Sequence, residues 1–258
     1  MGVQSNILLN NLLYDSIYED NYNKKKYDFL CRLGVEKTSN VMKILLDSNG
    51  GIFHQSLFYE LLLPEGIFIM RDDIYLDDIN LPSIHYNLNN NFLGAYFLPP
   101  EQLLTWLSEE MKTKKYSFWS VILSKITNKE KIADVSHATL MIFDHQSQLI
   151  YWMDPNGSDQ DYSTVINQLL EQYFAITNYS FIRNVDWQPS DQLQTDYGSN
   201  FDQGNCVTWC LFYALWILAK DESPALTYQN IASIDPIQRG MMIYKFNNNL
   251  FKLINGNL

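Results

Sequence analysis

From residue 101 onward the hydrophobic and polar positions settle into two clear periods, one near two residues and one near 3.6. EQLLTWLSEEMKTKK (101–115) follows a proline and carries acid early and lysine late. It predicts a helix whose charges suit its dipole. SFWSVILSKI (117–126), HATLMIFD (137–144) and QLIYWMD (148–154) are rich in β-branched and aromatic residues and predict strands. DYSTVINQLLEQYFA (161–175) spaces Val165, Ile166, Leu169, Leu170, Tyr173 and Phe174 as one face of an amphipathic helix. YSFIRNV (179–185) returns to a strand, and a polar loop (186–205) leads into the apolar run CVTWCLFYALWILA (206–219). That run predicts a buried core helix, and PIQRGMMIYKFNNNLFKLI (236–254) a C-terminal one.

The first hundred residues are less regular. Helical segments are expected near 6–18 and 39–48, and apolar stretches stand at 56–63 and 66–71. The asparagine-rich YNLNNNFLGAYFLPP (86–100) reads as a seam between an N-terminal accessory or substrate-docking lobe, 1–95, and a second lobe, 96–258. Strands covered by helices on both sides indicate an α+β or mixed α/β layered fold, with α+β the reading taken: a central mixed or antiparallel sheet flanked by helices.

Composition narrows the classes. A chain of 258 residues, 47% of them hydrophobic, buries a substantial core. The apolar run at 206–219 falls short of the roughly 20 residues that cross a bilayer, so no membrane span is expected. The N-terminus lacks the basic and apolar regions of a secretory signal. Cys31, Cys206 and Cys210 are an odd set without paired spacing, which favours a reducing compartment, the cytoplasm. No CxxC or HxxxH spacing suggests a metal, no cofactor is expected, and a net charge of −11 disfavours nucleic acid as a partner. The acidic patch at 71–78 reads as a solvated loop.

Within this frame three residues stand in an order that carries chemistry: His137, Asp154 and Cys206. The strands 137–144 and 148–154 are close enough in sequence to form an antiparallel hairpin. With the turn centred on His145 and Gln146, His137 lies directly opposite Asp154, at about 5 Å between Cβ atoms. Gly204 and Asn205 then open the apolar helix, placing Cys206 in its first turn, where the dipole favours a thiolate. An amide side chain before it would polarise a carbonyl; Gln203 is the first choice and Asn200 the second. Each residue also has a plainer reading: His137 as a partly buried strand residue, Asp154 as the head of the turn D-P-N-G, Cys206 as a small buried hydrophobe. Cys210 is read as core, His145 as an exposed turn residue, and Trp152 and Trp187 as packing or as walls of a cleft.

The order His137, sixteen residues, Asp154, then a glutamine-bearing loop before the Cys206 helix resembles the SUMO-protease and adenovirus-protease type of cysteine peptidase, the ubiquitin-like protease superfamily. The resemblance covers about residues 115–220. It implies a papain-like cysteine peptidase fold in permuted order, with Cys206 as nucleophile, His137 as base and Asp154 as orienter. It also implies a protein substrate: a ubiquitin or ubiquitin-like conjugate or precursor, or a polyprotein site. The family's tryptophan after the histidine is Ala138 here, its Asp-Cys-Gly is Asn205-Cys206-Val207, and its oxyanion glutamine position is Asn200. These departures are those of a divergent viral or bacterial-effector branch, for which the cytoplasm is a host cytosol. Three alternatives stay open: an effector-type acetyltransferase using the same trio, with KTKK (112–115) and KEK (129–131) as its basic candidates; a catalytically inactive binding module; and an enzyme with Cys31 as nucleophile.

Overall fold

The eleven-residue strand Tyr116–Ile126 is the axis around which the chain is arranged. In the computed structural model the described residues are 51–53, 59–61, 83–87, 92–97, 100–112, 114–126, 135–190, 193 and 206–254. Their strands are β1 (Gly51–Phe53), β2 (Tyr59–Leu61), β3 (Ser83–Asn87), β4 (Phe92–Phe97), β5 (Tyr116–Ile126), β6 (Val135–Asp144), β7 (Leu149–Met153) and β8 (Ser180–Ile182). Their helices are α1 (Pro100–Glu110), α2 (Ser163–Phe174), α3 (Asn184–Trp187), α4 (Cys206–Lys220), α5 (Pro224–Ala232) and α6 (Pro236–Ile254).

All these strands join one mixed sheet, in the order β2-β4-β3-β5-β6-β7-β8. β5 is long enough to hold β1 and β3 end to end along one edge, both parallel to it, while β6 runs antiparallel along the other. β8 closes the far side in parallel with β7.

Strand alternation sorts the core into two layers. Phe118, Ile122, Ala138, Leu140, Ile142 and Met153 face α4, α5 and α6, while Trp119, Val121, Leu123, Met141, Phe143, Ile150 and Trp152 face α1 and α2. The chain is therefore a mixed α+β fold with helices on both faces of the sheet. α4 is apolar on nearly every side because it lies between the sheet and two further helices; Trp209 through Leu215 are all buried.

Several sequence expectations shift. The helix expected over 101–115 stops at Glu110, so its lysines lie beyond it. Leu103, Trp106 and Leu107 bury its inner face, whereas Met111 is exposed and nothing later continues the stripe before Tyr116 must enter the sheet. The expected seam at 86–100 contains the end of β3 and all of β4, an antiparallel pair. The aromatic residues flanking the asparagines form strand, and the boundary expected at residue 95 falls inside β4. Two helices, α3 and α5, were not foreseen; Ser223 caps α5, accepting from the Leu226 N–H at 3.3 Å, with Pro224 at its first position. The segments near 6–18, 39–48 and 66–71, the acidic patch, Cys31, Asn200 and Gln203 lie outside the described residues.

The hairpin register also differs. β6 pairs with β7 as Leu140↔Met153 through Asp144↔Leu149, so the place opposite Asp154 belongs to Thr139 and not to His137. The turn centres between Gln146 and Ser147, one residue later than expected, and moving a turn centre by one moves every pairing by two. His145, expected to be exposed, is 4% exposed. Its N–H donates to the Lys115 carbonyl at 2.9 Å, continuing the β5–β6 ladder, and the turn proper begins after it. Gln148 closes that turn at φ 53.

Candidate active site

A two-residue offset preserves the face of a strand, since side chains alternate with period two. His137 and Asp154 therefore remain on one side of the hairpin, diagonal to each other. A diagonal pair is separated by about 7 Å at Cβ, too far for the nearer ring nitrogen but within reach of the farther one. The structure has that geometry: His137 Nε2 lies 2.6 Å from Asp154 Oδ1. Nδ1, the nitrogen nearer the backbone, is left for another partner, and His137 also hydrogen-bonds the Cys206 side chain. Cys206 is the first residue of α4, as expected, and is 9% exposed. The imidazole is thus the bridge between a carboxylate 17 residues later in the chain and a thiol at the start of α4.

Asp154 is fully buried, and both carboxylate oxygens are occupied. Oδ1 accepts from His137 and from the Asn156 N–H at 2.8 Å; Oδ2 accepts from the Tyr162 hydroxyl at 2.8 Å. The D-P-N-G turn forms here, with the Gly157 N–H donating to the Asp154 carbonyl at 3.0 Å and Gly157 at φ 84. The turn reading and the carboxylate's partnership with His137 are compatible: the turn uses the backbone and one lone pair of Oδ1. Gln188 grips the Asp154 main chain, its Oε1 accepting from the Asp154 N–H at 3.0 Å and its Nε2 donating to the Asp154 carbonyl.

Electrostatics follow from this enclosure. Burial disfavours the charged imidazole, but it is outweighed by the Asp154 charge and hydrogen bond and then by the Cys206 sulfur, which together hold His137 up at about 10. That imidazolium stands beside Cys206, at the N-terminal end of α4. Cys210, one turn on, is the contrast. Its Sγ faces the Ala138 carbonyl at 3.6 Å, and complete burial, then the neighbouring Cys206 and Asp154 charges, push its thiol well above the ordinary value. It belongs to the core.

The structure therefore brings together His137, Asp154 and Cys206; Gln203, the expected carbonyl-polarising amide, and Asn200 lie outside the described residues. Sequence reading missed Gln188 and Tyr162. Tyr162 sits just before the apolar stripe of the helix it precedes, and Gln188 lies in a segment read as polar loop; neither carries a local signal. Trp152 is core, and Trp187 packs edge-on against Tyr151 at 5.5 Å and Tyr228 at 6.0 Å. A second buried histidine, His145, lies 2.6 Å from Ser117 Oγ through Nε2 and 2.7 Å from the Tyr179 hydroxyl through Nδ1. Burial pushes it down to about 4, against the pull of Asp144, so it is neutral at pH 7, tying β5 to the hairpin. Among the described residues no cluster of His, Cys, Asp and Glu is placed to hold a metal ion, and no helix is long and apolar enough to cross a membrane. Comparison with protein-family models, with curated proteins and with solved structures found no match.

Proposed function

We propose that this chain is a cysteine peptidase of the ubiquitin-like protease type, cleaving ubiquitin or ubiquitin-like conjugates through Cys206, His137 and Asp154. The observation that carries the reading is the double engagement of His137, with Asp154 on Nε2 and Cys206 as the other partner. In that arrangement the Cys206 thiolate attacks the scissile carbonyl, and the His137 imidazolium gives its proton to the leaving amine as the C–N bond breaks. Water, losing a proton to the now neutral His137, then adds to the thioester carbonyl; the C–S bond breaks, the acid product leaves, and the thiolate–imidazolium pair is restored. Asp154 keeps the ring oriented and offsets the imidazolium charge throughout.

The fold reading that accompanies this is a papain-like catalytic lobe in permuted order, with residues 1–95 as a docking lobe. The setting it suits is a reducing cytoplasm. The acetyltransferase alternative gains nothing from the structure: of its basic candidates, Lys115 pairs with Asp221, and 129–131 lie outside the described residues.

The test is labelling by ubiquitin and SUMO probes that carry a C-terminal electrophile. The wild type forms a covalent adduct at Cys206, and the Cys206→Ala variant does not. Equal behaviour of the two proteins, labelled or unlabelled, sinks the assignment.

A further inference from the structure

Asp154 stands one residue beyond the end of β7, where the ladder to β6 has stopped. Its main chain is held by a side chain instead. The Gln188 amide accepts from the Asp154 N–H and donates to the Asp154 carbonyl, the same exchange that a hydrogen-bonded pair makes between strands. Gln188 is buried and is itself fixed from behind: its N–H donates to the Asn184 carbonyl at 2.7 Å. Asn184 exchanges two bonds with the Asn167 side chain of α2, its N–H donating to Oδ1 at 3.0 Å and its Oδ1 accepting from Nδ2 at 2.6 Å. A buried polar string thus runs from α2 through α3 to the residue that holds His137.

The carboxylate has its own restraint. His137 and Asn156 both bind Oδ1, which leaves the group free to swing about that oxygen. The Tyr162 hydroxyl on Oδ2 blocks the swing, and Tyr162 is the residue immediately before α2.

We propose that Gln188 and Tyr162 are positioning residues for the thiol–imidazole pair, Gln188 fixing where Asp154 stands and Tyr162 fixing which way its carboxylate faces. The inference rests on the reading of Cys206 as nucleophile and His137 as base. Activation of the thiol then depends on side chains that stand just before α2 and just after α3, outside the strands and the helix that carry the trio. A displacement of about 1 Å at such a site costs as much as a hundredfold in rate, so loss of either restraint is felt.

The experiment compares Gln188→Met, which keeps length and bulk but removes both hydrogen bonds, with Tyr162→Phe, which removes one hydroxyl. The readout is the rate of Cys206 alkylation by iodoacetamide from pH 5 to 10, located by peptide mass mapping, with the melting temperature recorded in parallel. In both variants the acid limb moves up by about one pH unit or more, a roughly tenfold loss at pH 6.5, and the rates meet that of the wild type above about pH 9.5. A lower melting temperature with the limb unmoved would mean a merely structural role and overturns the proposal. If Gln188→Met fails to fold, Tyr162→Phe decides alone, since a half-buried ring loses only its hydroxyl. A wild-type limb near the ordinary thiol value of about 8.5 overturns the nucleophile reading itself and this inference with it, whereas a depressed wild-type limb shared by both variants overturns only the positioning role.

Discussion

Replacing Asp154 with asparagine keeps the shape of the site and removes its charge. The rise of His137 from 6.5 to about 10 corresponds, at roughly 1.4 kcal/mol for each tenfold, to about 5 kcal/mol favouring the imidazolium. Burial opposes that sum, so the attractions from Asp154 and Cys206 together exceed it. Without the carboxylate, burial dominates and His137 is neutral at pH 7. The Cys206 thiol then has no imidazolium beside it, and the fraction present as thiolate at pH 6.5 falls. An ion-paired thiolate is a weaker nucleophile than a free one, which takes back part of the difference and leaves a loss of roughly tenfold or more. Iodoacetamide alkylation of Cys206 followed across pH measures this directly. The wild type holds its rate down through neutral pH, the Asp154→Asn variant loses it there, and the two converge in alkali. A loss of equal size at every pH, or no loss, would refute the charge argument.

Three further outcomes follow from the packing. His145 is held at about 4 against an ordinary 6.5, so the unfolded chain takes up its proton first; the stability it contributes is present above about pH 6.5 and is lost as pH falls toward 4. The loss is about 3 kcal/mol, and acid melts of the wild type should be steeper than those of His145→Gln. Phe212→Ala empties a wholly buried position between Trp209, Trp216 and Phe246 and should cost about 3–5 kcal/mol in urea unfolding. Cys210→Ala should leave the alkylation profile of Cys206 unchanged while lowering stability by about 1 kcal/mol, because the thiol it removes is a packing group; a changed profile would return Cys210 to the site.

The elements that dominate the core announce themselves in the sequence because one face repeats at a fixed period. Ile166, Leu170, Tyr173 and Phe174 on α2, and the alternation of Trp119, Val121 and Leu123 against Phe118 and Ile122 on β5, are the clearest cases. His137 and Asp154 were legible as a pair for a reason that tolerates error: a turn centre misplaced by one residue shifts the register by two and leaves both side chains on the same face. What the sequence concealed was long-range or non-periodic. His145 looks like a turn residue until the β5 ladder extends to it. Gln188 meets Asp154 from 34 positions away, through a helix of one turn that no hydrophobic stripe marks. The strand content of 86–100 was masked by the asparagines at its centre, which punctuate a hairpin as readily as they mark a linker.

The path of the chain through the site also sets an order of appearance. His137 and Asp154 lie 17 residues apart at one hairpin, and α2, β8 and α3 all follow before the helix that opens on Cys206. During synthesis the partners that restrain the imidazole therefore leave the ribosome first, and the Cys206 sulfur last. In the proposed reading a nascent chain interrupted between α3 and α4 holds His137, Asp154 and both restraining residues but no Cys206, so such a truncated product is chemically silent at this site.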